Sequence, residues 1–397
     1  MRLKIRAIVL ILVLVFSVAA GCGRSRGDRE QSLEVPKETI EETVAESYRD
    51  IYEQAEKKGS LNDFSTKRDI VERLGKSGHV AVDAENQVNM KHAEKLRDFV
   101  LAAKAKDRAK VTVFCVEGEG SFTRYNLATE DGEIRVERMW VAWEEHKPEV
   151  KYEETYRAYR WEYSKDGYLF FEKYQPEGYH GPMSYTCLRV QPLEDKYREM
   201  NRKYIQPVGY AENNLFFLNW TEQEYGAVNF DDLFRLLYPA VYGESIPYTM
   251  ASDTWGIGKR YRIAQEEYEQ VVQSFFKIAS QEIQQRGTYF SKDNTYEFRP
   301  RAYYDMELPE EMAYSEVIGC REHRDGTRTL TVNAVYPARS STKVLTHEVT
   351  VRDKEGGGFE YVSNKILFIN KELVNTWHRE RLTRERWEEL YPEVEEG

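Results

Sequence analysis

The chain has 397 residues, 57 basic and 68 acidic side chains, and a formal charge of −11. An acidic surface disfavours nucleic acid and anionic lipid headgroups as partners, and the length leaves room for two domains of about 150 residues each. The 28 tyrosines and 17 phenylalanines suit a β-rich protein with a large core.

The first 22 residues read as a secretory signal: Arg2, Lys4 and Arg6 in front, an apolar run from Ala7 to Ala20 broken by Ser17, then small residues. The run is too short for a spanning helix, which needs roughly 20 residues. Ala19-Ala20-Gly21-Cys22 resembles the lipobox of bacterial lipoproteins, which implies a lipidated Cys22 as first mature residue. Two acyl chains at about 0.8 kcal/mol per buried methylene suffice for stable anchoring. Cleavage removes three basic residues and no acid, leaving 376 residues and a charge of −14. Polar Gly23–Lys37 reads as a flexible tether, at most about 50 Å long when extended. No later apolar run approaches spanning length. The expected place is therefore the outer face of the cytoplasmic membrane, with the lipid anchor as membrane contact.

Apolar spacing predicts a helix over Glu38–Lys58, ending at Gly59, and another over Thr66–Leu74, capped by Ser65 and closed by Gly75. A short strand, His79–Val82, and a helix over Asn89–Lys106 follow. From Lys110 the period becomes two. Val111, Val113 and Cys115 take one face and Thr112, Phe114 and Val116 the other, so this strand is expected to be central. Ser121–Ala128, Gly132–Trp143, Tyr152–Tyr163, Gly167–Tyr174 and Ser184–Gln191 continue an antiparallel meander, turning at Asp131-Gly132 and Asp166-Gly167.

Pro192–Lys203 reads as helix, and Pro207-Val208-Gly209 marks a boundary between domains 38–206 and 207–397. The second half begins with a strand at Leu215–Trp220 and a helix at Asp231–Tyr238 that Pro239 should end. Glu244–Lys259 reads as loop. Ala264–Arg286 carries the clearest helical stripe in the chain. Strands Thr295–Arg299, Tyr314–His323, Thr327–Tyr336, Lys343–Arg352 and Phe359–Ile369 come next, then a short helix, Thr383–Leu390. The fold class is α+β, two halves each of helices followed by an antiparallel meander. In the C-terminal half a long helix lying across a curved sheet is the expected unit, as in cystatin-like and NTF2-like folds.

Chemistry-bearing patterns are sparse. Cys115, Cys187 and Cys320 each lie in strand-like runs and read as small hydrophobes; if export allows a disulfide, Cys115–Cys187 is the expected pair. The seven histidines never reach metal-ligand spacing, and no nucleophile elbow or phosphate loop appears. No metal, cofactor or nucleic acid is expected. Glu144, Glu145, Glu153 and Glu154 lie near Trp140, Trp143 and Trp161. A glycosidase needs two such acids, while a solvated strand edge explains them without function. Trp255 sits in a glycine-rich loop. Trp140, Trp143, Trp161 and Trp255 are the candidate ligand contacts.

Gly78–Asp83 with Glu85-Asn86-Gln87, Leu188–Leu193 continuing to Asn201–Tyr204, Tyr238-Pro239 with Val241–Gly243, Tyr361–Lys365 and Thr376–His378 together give the chain a family likeness. Over roughly Glu38 to Tyr391 it resembles a lipoprotein family of unknown function from Gram-positive, anaerobic, gut-type bacteria. The resemblance implies a lipid-anchored exported protein and no catalytic residues. The expectation is a non-enzymatic binding protein that holds a ligand or envelope protein on the concave side of a sheet. The alternative is an envelope hydrolase acting on glycan or peptide through acidic residues.

Overall fold

Two helices, not one, open the first half: α1 (Ile40–Glu46) and α2 (Arg49–Lys58). They part at Tyr48, whose ring turns into the core and whose hydroxyl donates to the Gly120 carbonyl over 2.9 Å. The computed structural model describes residues 39–178, 183–249, 258–306 and 312–391. Cys22, the tether and Trp255 lie outside them. α2 stops at Gly59 in the left-handed region, φ +65°, where its amide bonds back to the last turn. α3 (Phe64–Lys76) instead runs through Gly75. A Cβ there would come within 2.6 Å of the Lys91 side chain, so this glycine serves close packing and not termination.

Strand β1 (Val80–Asp83), helix α4 (Ala93–Ala105) and strand β2 (Ala109–Val116) form a crossover with β1 parallel to β2. Antiparallel strands β3 (Phe122–Glu130), β4 (Glu133–Glu144) and β5 (Lys147–Arg157) complete a five-stranded sheet in the order β1-β2-β3-β4-β5. The two apolar faces of β2 have separate covers. Val113 and Cys115 meet Leu96, Phe99 and Val100 of α4, whereas Phe114 and Val116 meet Val44, Tyr48, Ile70 and Leu74 of α1–α3. The expected strand Tyr152–Tyr163 splits. Its second part, β6 (Arg160–Tyr163), joins β7 (Tyr168–Glu172) and β8 (Tyr185–Arg189) in a separate sheet laid against α4 and the first sheet.

Helix α5 (Asp195–Met200) leads to the second half, with β9 (Trp220–Thr221), α6 (Phe230–Tyr242), β10 (Tyr261–Ala264), α7 (Gln265–Phe275) and α8 (Ser280–Arg286). Pro239 does not end α6, which continues to Tyr242 and closes at Gly243. The proline falls in the exposed last turn, so one lost amide bond is offset by the buried stripe Leu233, Phe234, Leu237 and Tyr238. The long helix expected over Ala264–Arg286 is broken. Phe276 leaves helical geometry (φ −134°, ψ 135°) and bridges Tyr361. Its ring is held among Phe230 at 5.3 Å, Tyr361 at 5.4 Å and Tyr225 at 6.0 Å. Aromatic packing overrides local helix preference here.

Strands β11 (Thr288–Phe290) and β12 (Thr295–Phe298) form a small sheet with β10, an element hidden in the sequence by the loop beside it. Strands β13 (Tyr314–Glu322), β14 (Thr327–Tyr336), β15 (Ser341–Asp353) and β16 (Phe359–Ile369) make the second meander, edged by β9. Short helices α9 (Lys371–Val374) and α10 (Arg384–Leu390) end the described chain. The architecture is α+β.

The larger cores divide along the chain: one draws on residues from Tyr204 to Trp377, and two others on residues between Val44 and Val190. The described residues from Ile40 onward nevertheless form one compact unit. Polar groups knit the seam. Arg189 donates to Glu316 over 2.5 and 3.2 Å, and the Tyr168 hydroxyl donates to the same carboxylate over 2.7 Å. Asn86, at φ +55°, accepts from the Arg189 amide, donates to the Cys187 carbonyl and receives Arg198 on its own carbonyl. Asn201 joins Gln87 to the Ser315 carbonyl.

A second buried polar set lies inside the C-terminal sheet. His347 donates from Nδ1 to Asn364 Oδ1 (2.7 Å), accepts from the Tyr210 hydroxyl at Nε2 (3.0 Å) and stacks on Phe216. Asn364 in turn donates to the Phe216 and Leu218 carbonyls, which fixes its amide and hence the imidazole tautomer. Burial is the main cause that holds the imidazole down to about 4, against an ordinary 6.5.

Two tests follow from these networks. Arg189→Met leaves Glu316 buried without its cation and should cost about 3–5 kcal/mol of unfolding free energy in urea titrations. Adding Glu316→Leu should restore most of that loss, and a single-variant cost below about 1 kcal/mol would show that the pair does not hold the seam. For His347, the unfolded chain takes a proton near 6.5 that the folded chain refuses until about 4. This contribution is therefore complete above pH 6.5 and is lost as pH falls towards 4, on the order of 3 kcal/mol in all. His347→Gln should remove that slope, so wild-type and variant unfolding curves compared at pH 7 and pH 4.5 should converge at the lower pH.

Candidate functional site

Helices α1–α3 cover only one end of their face of the first sheet. Beyond them the strands continue bare, and the uncovered part forms an open groove of about 1390 Å³. Strand register arranges its floor in cross-strand rows. The outermost row is Lys110, Ala128, Arg135 and Arg157. Next comes Thr112, Asn126, Glu137 and Thr155. The third, Phe114, Arg124, Met139 and Glu153, runs under α1. Every second residue of a strand shares a face, so the polar members of β2–β5 gather here while their neighbours enter the core opposite.

Hydrogen bonds tie the middle row together. The Thr112 hydroxyl donates to Asn126 Oδ1 (2.8 Å), and Asn126 Nδ2 donates to Glu137 Oε1 (2.9 Å). Arg124 reaches the same Glu137 oxygen over 2.6 Å and pairs with Glu41 in the first turn of α1. Arg124 and Glu41 are nearly buried, while about 39% of the Glu137 side chain stays exposed. Arg124 is thus a strut that sets the position of Glu137, and its Nε has no hydrogen-bond partner among the described residues.

The groove also carries unspent charge. Arg157 pairs with Glu133 over 2.8 Å and Arg108 with Glu130, both at the exposed rim. Lys110 and Arg135 make no ion pair among the described residues. Arg135 and Arg157 sit directly opposite each other across β4 and β5, an arrangement that a sheet ordinarily avoids.

The candidate tryptophans are fastened elsewhere. Trp143 stacks on Tyr52 at 4.3 Å and donates to the Gly120 carbonyl, which places it in the packing under α2. Trp161 donates to the Gly132 carbonyl and packs on the α4 side of the sheet. Trp140 faces Tyr152 on the side away from the groove and is 37% exposed. Trp143 lies on the α1–α3 side and Trp140 and Trp161 on the other, and none of the three lines the groove.

The four glutamates also diverge. Glu144 pairs with Lys151, and Glu145 occupies the hairpin tip at φ +47°. Glu153 and Glu154 are strand neighbours that point to opposite faces. Burial works to raise the Glu154 carboxyl, but hydrogen bonds from Lys173 and Tyr152 and the Arg138 charge outweigh it and hold the group low. Glu117 escaped the sequence reading. It is raised by burial at the end of β2, beside the Gly118–Gly120 turn.

Cys115, Cys187 and Cys320 are free thiols. Among the described residues no group of His, Cys, Asp or Glu is placed to hold a metal ion, and no helix is long and apolar enough to cross a membrane. The groove residues Lys110, Arg135, Glu137 and Arg157 were overlooked because none belongs to a spaced motif. The available signal was alternation itself, which sets Lys110 and Thr112, Arg124 and Asn126, Arg135 and Glu137, and Thr155 and Arg157 two apart on four successive strands.

No curated protein and no solved structure matches the chain. A family model matches residues 35–381, which include every stretch that carried the family likeness, and the chain therefore belongs to DUF6070, a family of unknown function.

Proposed function

We propose that this chain is a lipid-anchored extracytoplasmic binding protein, tethered through Cys22 to the outer face of the cytoplasmic membrane of a Gram-positive cell. Its groove on the first sheet would hold a component of the envelope. The observation that carries the binding half of this reading is the bare, polar end of β2–β5, an open cleft of about 1390 Å³ that the covering helices leave exposed. Cleft volumes of about 300–1,000 Å³ serve small ligands, so a groove of this size suits an extended one. The leader ending in Ala19-Ala20-Gly21-Cys22 supports the location. Binding is favoured over hydrolysis because the candidate carboxylates diverge and several are held in ion pairs. Glu137 is tied to Arg124 and Asn126, and Glu154 to Arg138 and Lys173. General acid–base work needs an acid and a base converging on one bond.

The two halves of the proposal are tested separately. Cys22→Ala should move the protein out of the membrane fraction or leave its leader uncut; unchanged fractionation and mass would refute the anchor. Ala128→Trp puts an indole into the outer row of the groove without touching the core beneath. Retention of the detergent-solubilised full chain on isolated envelope material should then fall by about tenfold, equivalent to about 1.4 kcal/mol. Undiminished retention would remove the groove from consideration.

A further inference from the structure

We infer that the groove takes an acidic polysaccharide, laid across the strands with its anionic groups on the Lys110–Arg135–Arg157 row and its hydroxyls on the Thr112–Asn126–Glu137–Thr155 row. This inference rests on the groove being the binding site.

The cationic row comes first. With strands about 4.8 Å apart, it spans about 14 Å from β2 to β5. Ala128 is its small member and leaves the space between Lys110 and Arg135 open. Lys110 and Arg135 are exposed and make no ion pair among the described residues. Arg135 stands directly opposite Arg157, whose charge Glu133 already meets over 2.8 Å, so Lys110 and Arg135 are the two cations of the row left for a bound anion. The acidic remainder of the protein does not prevent this. At physiological ionic strength charges beyond about 8 Å are largely screened; of the acids that line the groove itself, Glu130 and Glu133 are paired with Arg108 and Arg157, which leaves Asp131 at the hairpin turn and Glu137 in the second row.

The second row separates an acidic sugar from a bare polyanion. Asn126 and the threonines offer donors and acceptors, but Glu137 only accepts when ionised. One Glu137 oxygen is taken by Arg124 and Asn126, whereas the other receives no hydrogen bond among the described residues. That carboxylate lies one row from the cations. It accepts from a sugar hydroxyl and repels a phosphate or carboxylate set directly upon it. The ligand therefore needs anions and hydroxyls side by side, as on the rings of a uronic acid polymer. Among the described residues no tryptophan lines the groove, so recognition depends on charge and hydrogen bonding and should be strongly salt-dependent.

The test uses the full chain in detergent micelles and titration calorimetry with four defined polymers: polygalacturonate, polyphosphate, polyglutamate and neutral dextran. Polygalacturonate should bind most tightly, and its affinity should fall as salt rises from about 0.1 M to about 1 M, which shortens the screening length from about 10 Å to about 3 Å. Lys110→Gln and Arg135→Gln should each weaken it up to roughly fivefold, the upper range for one exposed charge. Arg135→Gln should leave the melting temperature unchanged or raised, because it removes a like-charge contact, so lost binding there cannot be lost folding. Thr155→Val should weaken polygalacturonate without altering polyphosphate. Polyphosphate or polyglutamate binding as tightly as polygalacturonate would overturn the inference, as would insensitivity to Arg135→Gln. Groove-dependent retention on envelope material with no polygalacturonate binding would defeat this inference alone. Retention indifferent to Ala128→Trp would defeat the binding reading beneath it.

Discussion

Glu316 is a buried carboxylate on an edge strand of the C-terminal sheet, and the groups that neutralise it come from the other half of the chain. Arg189 and Tyr168 reach it from β8 and β7, Asn201 donates to the carbonyl of its neighbour Ser315, and Asn86, Gln87 and Arg198 are tied to these groups and to one another. An isolated charge in such a place costs several kcal/mol, so the two halves stay together or leave Glu316 unpaired. Apolar cores on either side supply most of the folding free energy, and this polar seam supplies their registration. It explains why separate apolar cores belong to one compact unit.

Fixing the seam also fixes the groove. β8 is held at the seam, and the sheet it belongs to lies with α4 over one face of the five-stranded sheet. That leaves α1–α3 as cover for the other face, and these helices are shorter than the strands they cross. The uncovered strand ends keep their polar residues because no layer arrives to bury them. A concave polar surface is thus a geometric consequence of unequal layer lengths. Arg124 marks the border: on one side it pairs with Glu41 of α1, on the other with Glu137 in the groove.

The stretches that carried the family likeness have structural work in common. Asp83 caps the turn after β1 by accepting the Gln87 and Val88 amides. Asn86 and Gln87 enter the seam, as do Arg189 and Asn201. Asn364 orients His347, and Trp377 is almost fully buried beside Tyr336. These are positions where a buried donor or acceptor must be met by one particular partner. The groove, in contrast, uses ordinary surface residue types whose meaning depends on which strands stand side by side.

Much of this molecule was legible in one dimension. Period-two alternation placed most strands of the two meanders, Asp-Gly turns marked hairpins, glycine marked the end of α2, and the double-faced pattern of β2 announced a central strand. Such features depend on neighbours a few residues apart, where propensity and periodicity are strong. Others were settled only by contacts between distant residues. Phe276 abandoned a helical stripe to join an aromatic cluster, Pro239 was tolerated because α6 had a buried face, and Gly75 answered to Lys91. The tryptophans that read as ligand contacts were claimed by Tyr52 and by backbone carbonyls. The cationic row exists only when β2, β4 and β5 are aligned, since Lys110, Arg135 and Arg157 are far apart in sequence. Local order comes from local chemistry, but a surface assembled from four strands is decided by register, and register belongs to the tertiary structure.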